Sequence, residues 1–188
     1  MSNVAIKDDK RQAGSAPSLP RWLSSAVARV EMISNRPEIA ASAALSSMER
    51  SQAVAIVLEI DASLTPATRT EIGRHIAKIF VAFPGERLSD LESKARAETY
   101  LIALDGMPAW CVDRAVAWWL QGANGEGGEN YAFAPSPPQL RRLAEKAALP
   151  ERARRHRIDQ LLKARVYTDP TPEMRAKVAD LMSRFHRG

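Results

Sequence analysis

His75 stands four residues after Glu71, a spacing that would bring both side chains to one helix face as two metal ligands. No third or fourth ligand lies near in the sequence, so a partly exposed histidine is the competing reading. His156 sits inside the run ERARRHR (151–157) and reads as one more polar or cationic group there. Cys111 follows Trp110 with no histidine close by, which is the setting of a buried, inert thiol. The glycine-rich stretch GANGEGGEN (122–130) lacks the Lys-Ser/Thr of a phosphate-binding loop, and Glu126 and Glu129 would repel phosphate. No G-x-S-x-G, H-E-x-x-H or C-x-x-C pattern occurs. The expectation is therefore a protein without catalytic residues, metal or cofactor.

Two sets of residues are better suited to binding. Residues 138–165 hold nine Lys/Arg against three acids, whereas residues 1–137 hold fourteen against sixteen. Within this segment Arg152, Arg154, Arg155 and Arg157 fall at several helical angles and could neutralise phosphates. A solvated helix face is the alternative reading of the same charges. The second set is aromatic: Trp110, Trp118, Tyr131 and Phe133, which could anchor a protein partner. Adjacent Trp118 and Trp119 must point about 100° apart on a helix. Trp119 fits an inward stripe with Val112 and Val116, leaving Trp118 at the core margin or packed under the loop with Tyr131 and Phe133.

These residues need helices to hold them. Pro20 opens a short helix over about 20–33 with Leu23, Val27 and Val30 at helical spacing, and Asn35-Arg36-Pro37 breaks it. Residues 37–45 suggest another short helix, and 51–60 a further one, favoured over a strand because no second strand is in view. Thr65-Pro66 reads as a cap for a helix carrying Ile72, Ile76, Ile79, Phe80 and Phe83. Ser89-x-x-Glu92 is a capping box, and its helix carries Leu91, Ala97, Leu101 and Leu104 as far as Asp105-Gly106. Met107-Pro108 starts the helix of Val112, Ala115, Val116, Trp119 and Leu120, which Gly122 stops. After a loop over 122–138 the helix pattern resumes with Leu140, Leu143 and Ala147. Pro150 reads as the first residue of a new helix bearing Ile158, Leu161 and Leu162. Asp169-Pro170 is a turn before a last helix with Val178, Leu181, Met182 and Phe185.

The fold class expected is all-α: a helical bundle over 18–148, preceded by a disordered arm at 1–17 and followed by a basic helical extension at 149–188. Apolar residues at 45% can fill a core, and 26% charged residues suit a soluble chain, which excludes wholesale disorder and fibrous repeats. A single cysteine excludes an internal disulfide framework and fits a reducing compartment. No apolar run approaches the roughly 20 residues of a membrane span. The start, MSNVAIKDDK, has no signal-peptide core. The expectation is a cytoplasmic protein with no membrane partner.

The segment 88–148 resembles a known family. Its order is YLIAL (100–104), an Asp105-Gly106 break, MPAWCVDRAVAWWL (107–120), a variable loop, and FAPSPPQLRRLAE (133–145). This resembles the helical domain of small phage replisome organisers, helicase loaders that lack an ATPase module, and is similar to replication-associated proteins of proteobacterial prophages. The matching positions are Tyr100, Leu101 and Leu104, then Pro108, Val112, Ala115 and Trp119, then Phe133, Pro135, Ser136 and Leu140. Gln139 departs from the family's acidic residue, and the loop is longer and richer in glycine. The resemblance implies a non-enzymatic replication accessory protein that binds a hexameric replicative helicase and delivers it to origin DNA. Two other functions remain open on the residues alone. One is a DNA-binding regulator using the basic C-terminal helix; the other is a phage inhibitor that blocks a host protein.

Overall fold

A computed structural model describes residues 19–84, 89–123, 129–168 and 171–185. The arm expected at 1–17, most of the glycine stretch and the Asp169-Pro170 turn lie outside the described residues. The chain is mostly helical, with seven α-helices and one small sheet among the described residues. In order these are α1 (Arg21–Ala28), β1 (Glu31–Ile33), β2 (Arg36–Ala40), a single 3-10 turn, α2 (Ser47–Ser63), α3 (Arg69–Ala82), α4 (Asp90–Ala103), α5 (Ala109–Leu120), α6 (Pro137–Lys163), β3 (Arg165–Tyr167) and α7 (Pro172–Phe185). No helix among the described residues is long and apolar enough to cross a membrane.

The sheet corrects the expectation of helices at 20–33 and 37–45. α1 stops at Ala28, and Ser34 and Asn35 both take positive φ (50° and 63°), the geometry of a two-residue hairpin turn. β1 pairs antiparallel with β2, and β2 pairs parallel with β3. Pro37 is tolerated because the β3 register begins one residue later, at Glu38, so the parallel ladder loses no donor. Alternation places Ile39 on the buried side, with Glu31, Glu38 and Arg165 in one row on the other.

The described residues divide into a central unit, 59–153, and a flanking unit built from 19–58 and 154–188. The expected boundary at 148/149 falls inside α6, which runs through Pro150 without interruption. Pro150 removes one hydrogen bond to the carbonyl four residues back, but buried Ala147, Ala148 and Glu151 hold the helix on both sides of it.

The central unit is built on local signals and one core. The capping box expected at Ser89–Glu92 is present, and an equivalent one at Thr68–Glu71 starts α3, three residues beyond the cap expected at Thr65. Gly106 bridges α4 and α5 with φ 75°, which a side chain would strain. Ile72, Ile76 and Ile79 of α3, Tyr100 and Leu104 of α4, Val112, Val116 and Trp119 of α5, and Leu140 and Leu143 of α6 form one buried cluster. Leu91, expected on the inner face of α4, is 78% exposed and lies outside it.

The flanking unit buries less. Leu23, Ala26, Ile39, Ala53, Ile158 and Leu161 are its buried apolar residues among those described. Arg50 Nη2 donates to the Leu162 carbonyl at 2.7 Å, satisfying an acceptor in the last turn of α6 with a cation, as the helix dipole favours.

Candidate functional site

The loop before α6 is pinned from two sides. Trp119 lies almost fully buried, and its Nε1 donates to the Phe133 carbonyl at 2.9 Å. Two residues on, the Tyr100 hydroxyl donates to the Pro135 carbonyl. Burial raises the pKa of that hydroxyl, while Arg96 acts the other way. Tyr131 packs on Trp119 with ring centroids 4.8 Å apart, and its hydroxyl reaches Glu129 Oε2 at 3.3 Å. Ser136 N–H and Oγ both bond Gln139 Oε1 at 2.8 Å, so Gln139 supplies the reach-back half of a helix start. Between these fixed points Phe133 is 66% exposed. The backbone around it is held while its ring faces outward.

Of the four aromatics singled out in the sequence, Phe133 is the one left exposed. Trp110, Trp118 and Tyr131 are partly buried against the central core. Trp110 donates from Nε1 to the Ser63 carbonyl at 2.8 Å. The Arg114 guanidinium lies 5.7 Å and 5.8 Å from the Trp110 and Trp118 ring centroids, one helical turn from each along α5. This ladder runs along α5, and Phe133 remains the most exposed of the four rings.

The four arginines of the basic run all lie on α6, in unlike surroundings. Arg152 is exposed and belongs to the central unit, while Arg154, Arg155 and Arg157 belong to the flanking unit. Arg157 is exposed, whereas Arg154 and Arg155 are half-buried and engaged with other groups.

His75 meets a carboxylate that the sequence did not pair with it. Its Nδ1 lies 3.0 Å from Asp113 Oδ1, and Lys78 Nζ bonds the same oxygen at 2.7 Å. Burial lowers the His75 pKa, partly opposed by Asp113. Burial pushes the Asp113 carboxyl up, but Lys78 and His75 together pull it below its ordinary value. Glu71 is occupied at the Thr68 cap. No group of three metal-ligating side chains occurs among the described residues. Cys111 is fully buried, and burial pushes its thiol up to about 12, which leaves it without thiolate at neutral pH.

Sequence reasoning missed Tyr100, Asp113 and Arg141 as positioning groups. Arg141 Nη1 donates to the carbonyls of Ala103 at 2.9 Å and Asp105 at 2.7 Å, closing the C-terminal end of α4. Each partner lies 35 or more residues away, and nothing in a local pattern announces such a pairing. Comparison with family models, with curated proteins and with solved structures finds no match to this chain.

Proposed function

We propose that this protein is a DNA-replication accessory protein that docks a hexameric replicative helicase, as the resemblance over 88–148 implies. It works by binding rather than by catalysis. The observation that carries the reading is the presentation of Phe133 from a backbone fixed by Trp119 and Tyr100. An aromatic presented from a fixed backbone loses less freedom on binding, and exposed aromatics are frequent anchors of interfaces. Phe133, Pro135, Trp119 and Tyr100 are all positions of the resemblance, so the same residues hold the anchor and carry the likeness. The groups with catalytic potential support the reading too. Asp113 is bonded by Lys78 and approached by His75, and the Cys111 thiol is buried and protonated.

The test is a binding titration with purified host and phage helicase hexamers at moderate salt. The full chain binds one of them, and Phe133→Ala weakens that binding by at least about tenfold with folding unchanged. Absence of a complex with either hexamer overturns the reading.

A further inference from the structure

Cations are treated differently in the two units. Residues 59–153 hold eleven Lys/Arg against thirteen Asp/Glu, a net −2. Residues 19–58 and 154–188 together hold thirteen against seven, a net +6. In the central unit Arg69, Lys78, Arg141 and Arg142 lie against carboxylates, Arg96 lies over Phe80, and Arg114 lies between two indoles.

The flanking unit engages Arg50, Arg154, Arg155 and Lys163 but leaves six other cations exposed. Arg21 and Arg29 of α1 and its cap, Arg36 of β2, Arg157 of α6, Arg165 of β3 and Lys177 of α7 are exposed. None of the six has a carboxylate within ion-pair distance among the described residues. The unit's acids are in part spent elsewhere: Glu49 caps Ser46 and Asp159 holds Lys163. Glu31 and Glu38 face each other across the hairpin, and Arg165 is next to Glu38 in register without bridging to it. On α1, Arg21, Ser25 and Arg29 recur every four residues and are all exposed, a line of about 12 Å at 1.5 Å per residue.

We propose that the flanking unit binds the phosphate backbone of nucleic acid, with Arg21, Arg29 and Arg157 among the contacts. Unpaired exposed arginines gather counterions that a polyphosphate strand displaces on binding, and that release supplies sequence-independent affinity. Arginine also suits phosphate by geometry, since its planar fork donates two parallel hydrogen bonds. The site differs from the run read in the sequence. It draws on chain segments more than 120 residues apart, and it omits Arg152, which belongs to the central unit. The inference does not depend on helicase docking.

The test measures affinity of the full chain for a duplex and for a single-stranded oligonucleotide at several salt concentrations. Three proteins are compared: wild type, Arg21/Arg29/Arg157→Ala, and a charge-matched control, Arg74/Lys94/Arg152→Ala, drawn from exposed cations of the central unit. All six positions are exposed, and circular dichroism checks that each variant folds. The flanking variant flattens the log K against log salt slope by about 0.9 for each phosphate no longer neutralised on duplex, or about 0.7 on single strands, while the control keeps the wild-type slope. Equal flattening in both variants assigns the effect to net charge alone and overturns the site. An unchanged slope in the flanking variant also overturns it, as does binding to phosphatidylglycerol vesicles with none to either oligonucleotide.

Discussion

The central and flanking units solve opposite problems with the same kinds of residue. The central unit buries sixteen residues in a single cluster and sets Arg69, Lys78, Arg141 and Arg142 against carboxylates. The flanking unit buries six apolar residues among those described and leaves Met174, Val178 and Met182 more than half exposed along one side of α7. The central unit fixes the backbone on either side of an exposed aromatic, and the flanking unit leaves arginines exposed without a carboxylate partner among the described residues. A mean composition, here a net +5 overall, therefore describes neither half.

Stability separates the two units most strongly. Trp119→Ala removes a buried indole, its bond to Phe133 and its packing on Tyr131, so it costs about 3–5 kcal/mol. Leu23→Ala, at a fully buried position of the flanking unit, costs about 2–3 kcal/mol. Denaturant unfolding followed by amide exchange distinguishes them: Trp119→Ala lowers protection in α3 and α5, and Leu23→Ala leaves α5 protected. A drop in α5 protection in Leu23→Ala would erase the distinction between the units.

Tyr100→Phe deletes the donor to the Pro135 carbonyl while keeping the ring, and costs about 1–2 kcal/mol. It also loosens the segment that presents Phe133, so helicase binding falls more than stability alone accounts for. Unchanged binding in Tyr100→Phe would confine the anchor's support to Trp119. Ser89→Ala removes the α4 cap and costs about 1 kcal/mol, with no effect on either binding activity.

A weaker signature is the pH dependence that His75 and Asp113 give the central unit. His75 and Asp113 both lie below their ordinary pKa values in the fold, so the unfolded chain takes up their protons first. Stability contributed by neutral His75 is present above about pH 6.5 and falls as pH drops below it; that of ionised Asp113 is lost only below about pH 4. His75→Gln therefore flattens the upper limb and keeps the lower one in chemical denaturation across that range. An unchanged upper limb would mean that another group titrates there.

What the sequence discloses follows from the range of the interaction. The Ser89 capping box, the Asp105-Gly106 break, the Pro108 start of α5 and the inward Trp119 are set by neighbours within a few residues. The burial of Cys111 follows from its place on the inner stripe of the same helix. The hairpin is hidden because Pro37 carries a helix-start signal as well as a strand-compatible φ, and Ser34-Asn35 lacks the glycine that marks most such turns. β3 is three residues long and pairs with a strand more than 120 positions away, so no local pattern reveals it. Residue type alone does not separate the exposed Phe133 from Trp118 or Tyr131. Its exposure follows from two hydrogen bonds that only the fold brings together.

The division of labour between the units is tested most directly by one helicase titration run on wild type, Phe133→Ala and Arg21/Arg29/Arg157→Ala. With the anchor in the central unit, Phe133→Ala binds at least about tenfold more weakly and the arginine variant keeps wild-type affinity. Equal affinity for wild type and Phe133→Ala, with the arginine variant impaired instead, would contradict it.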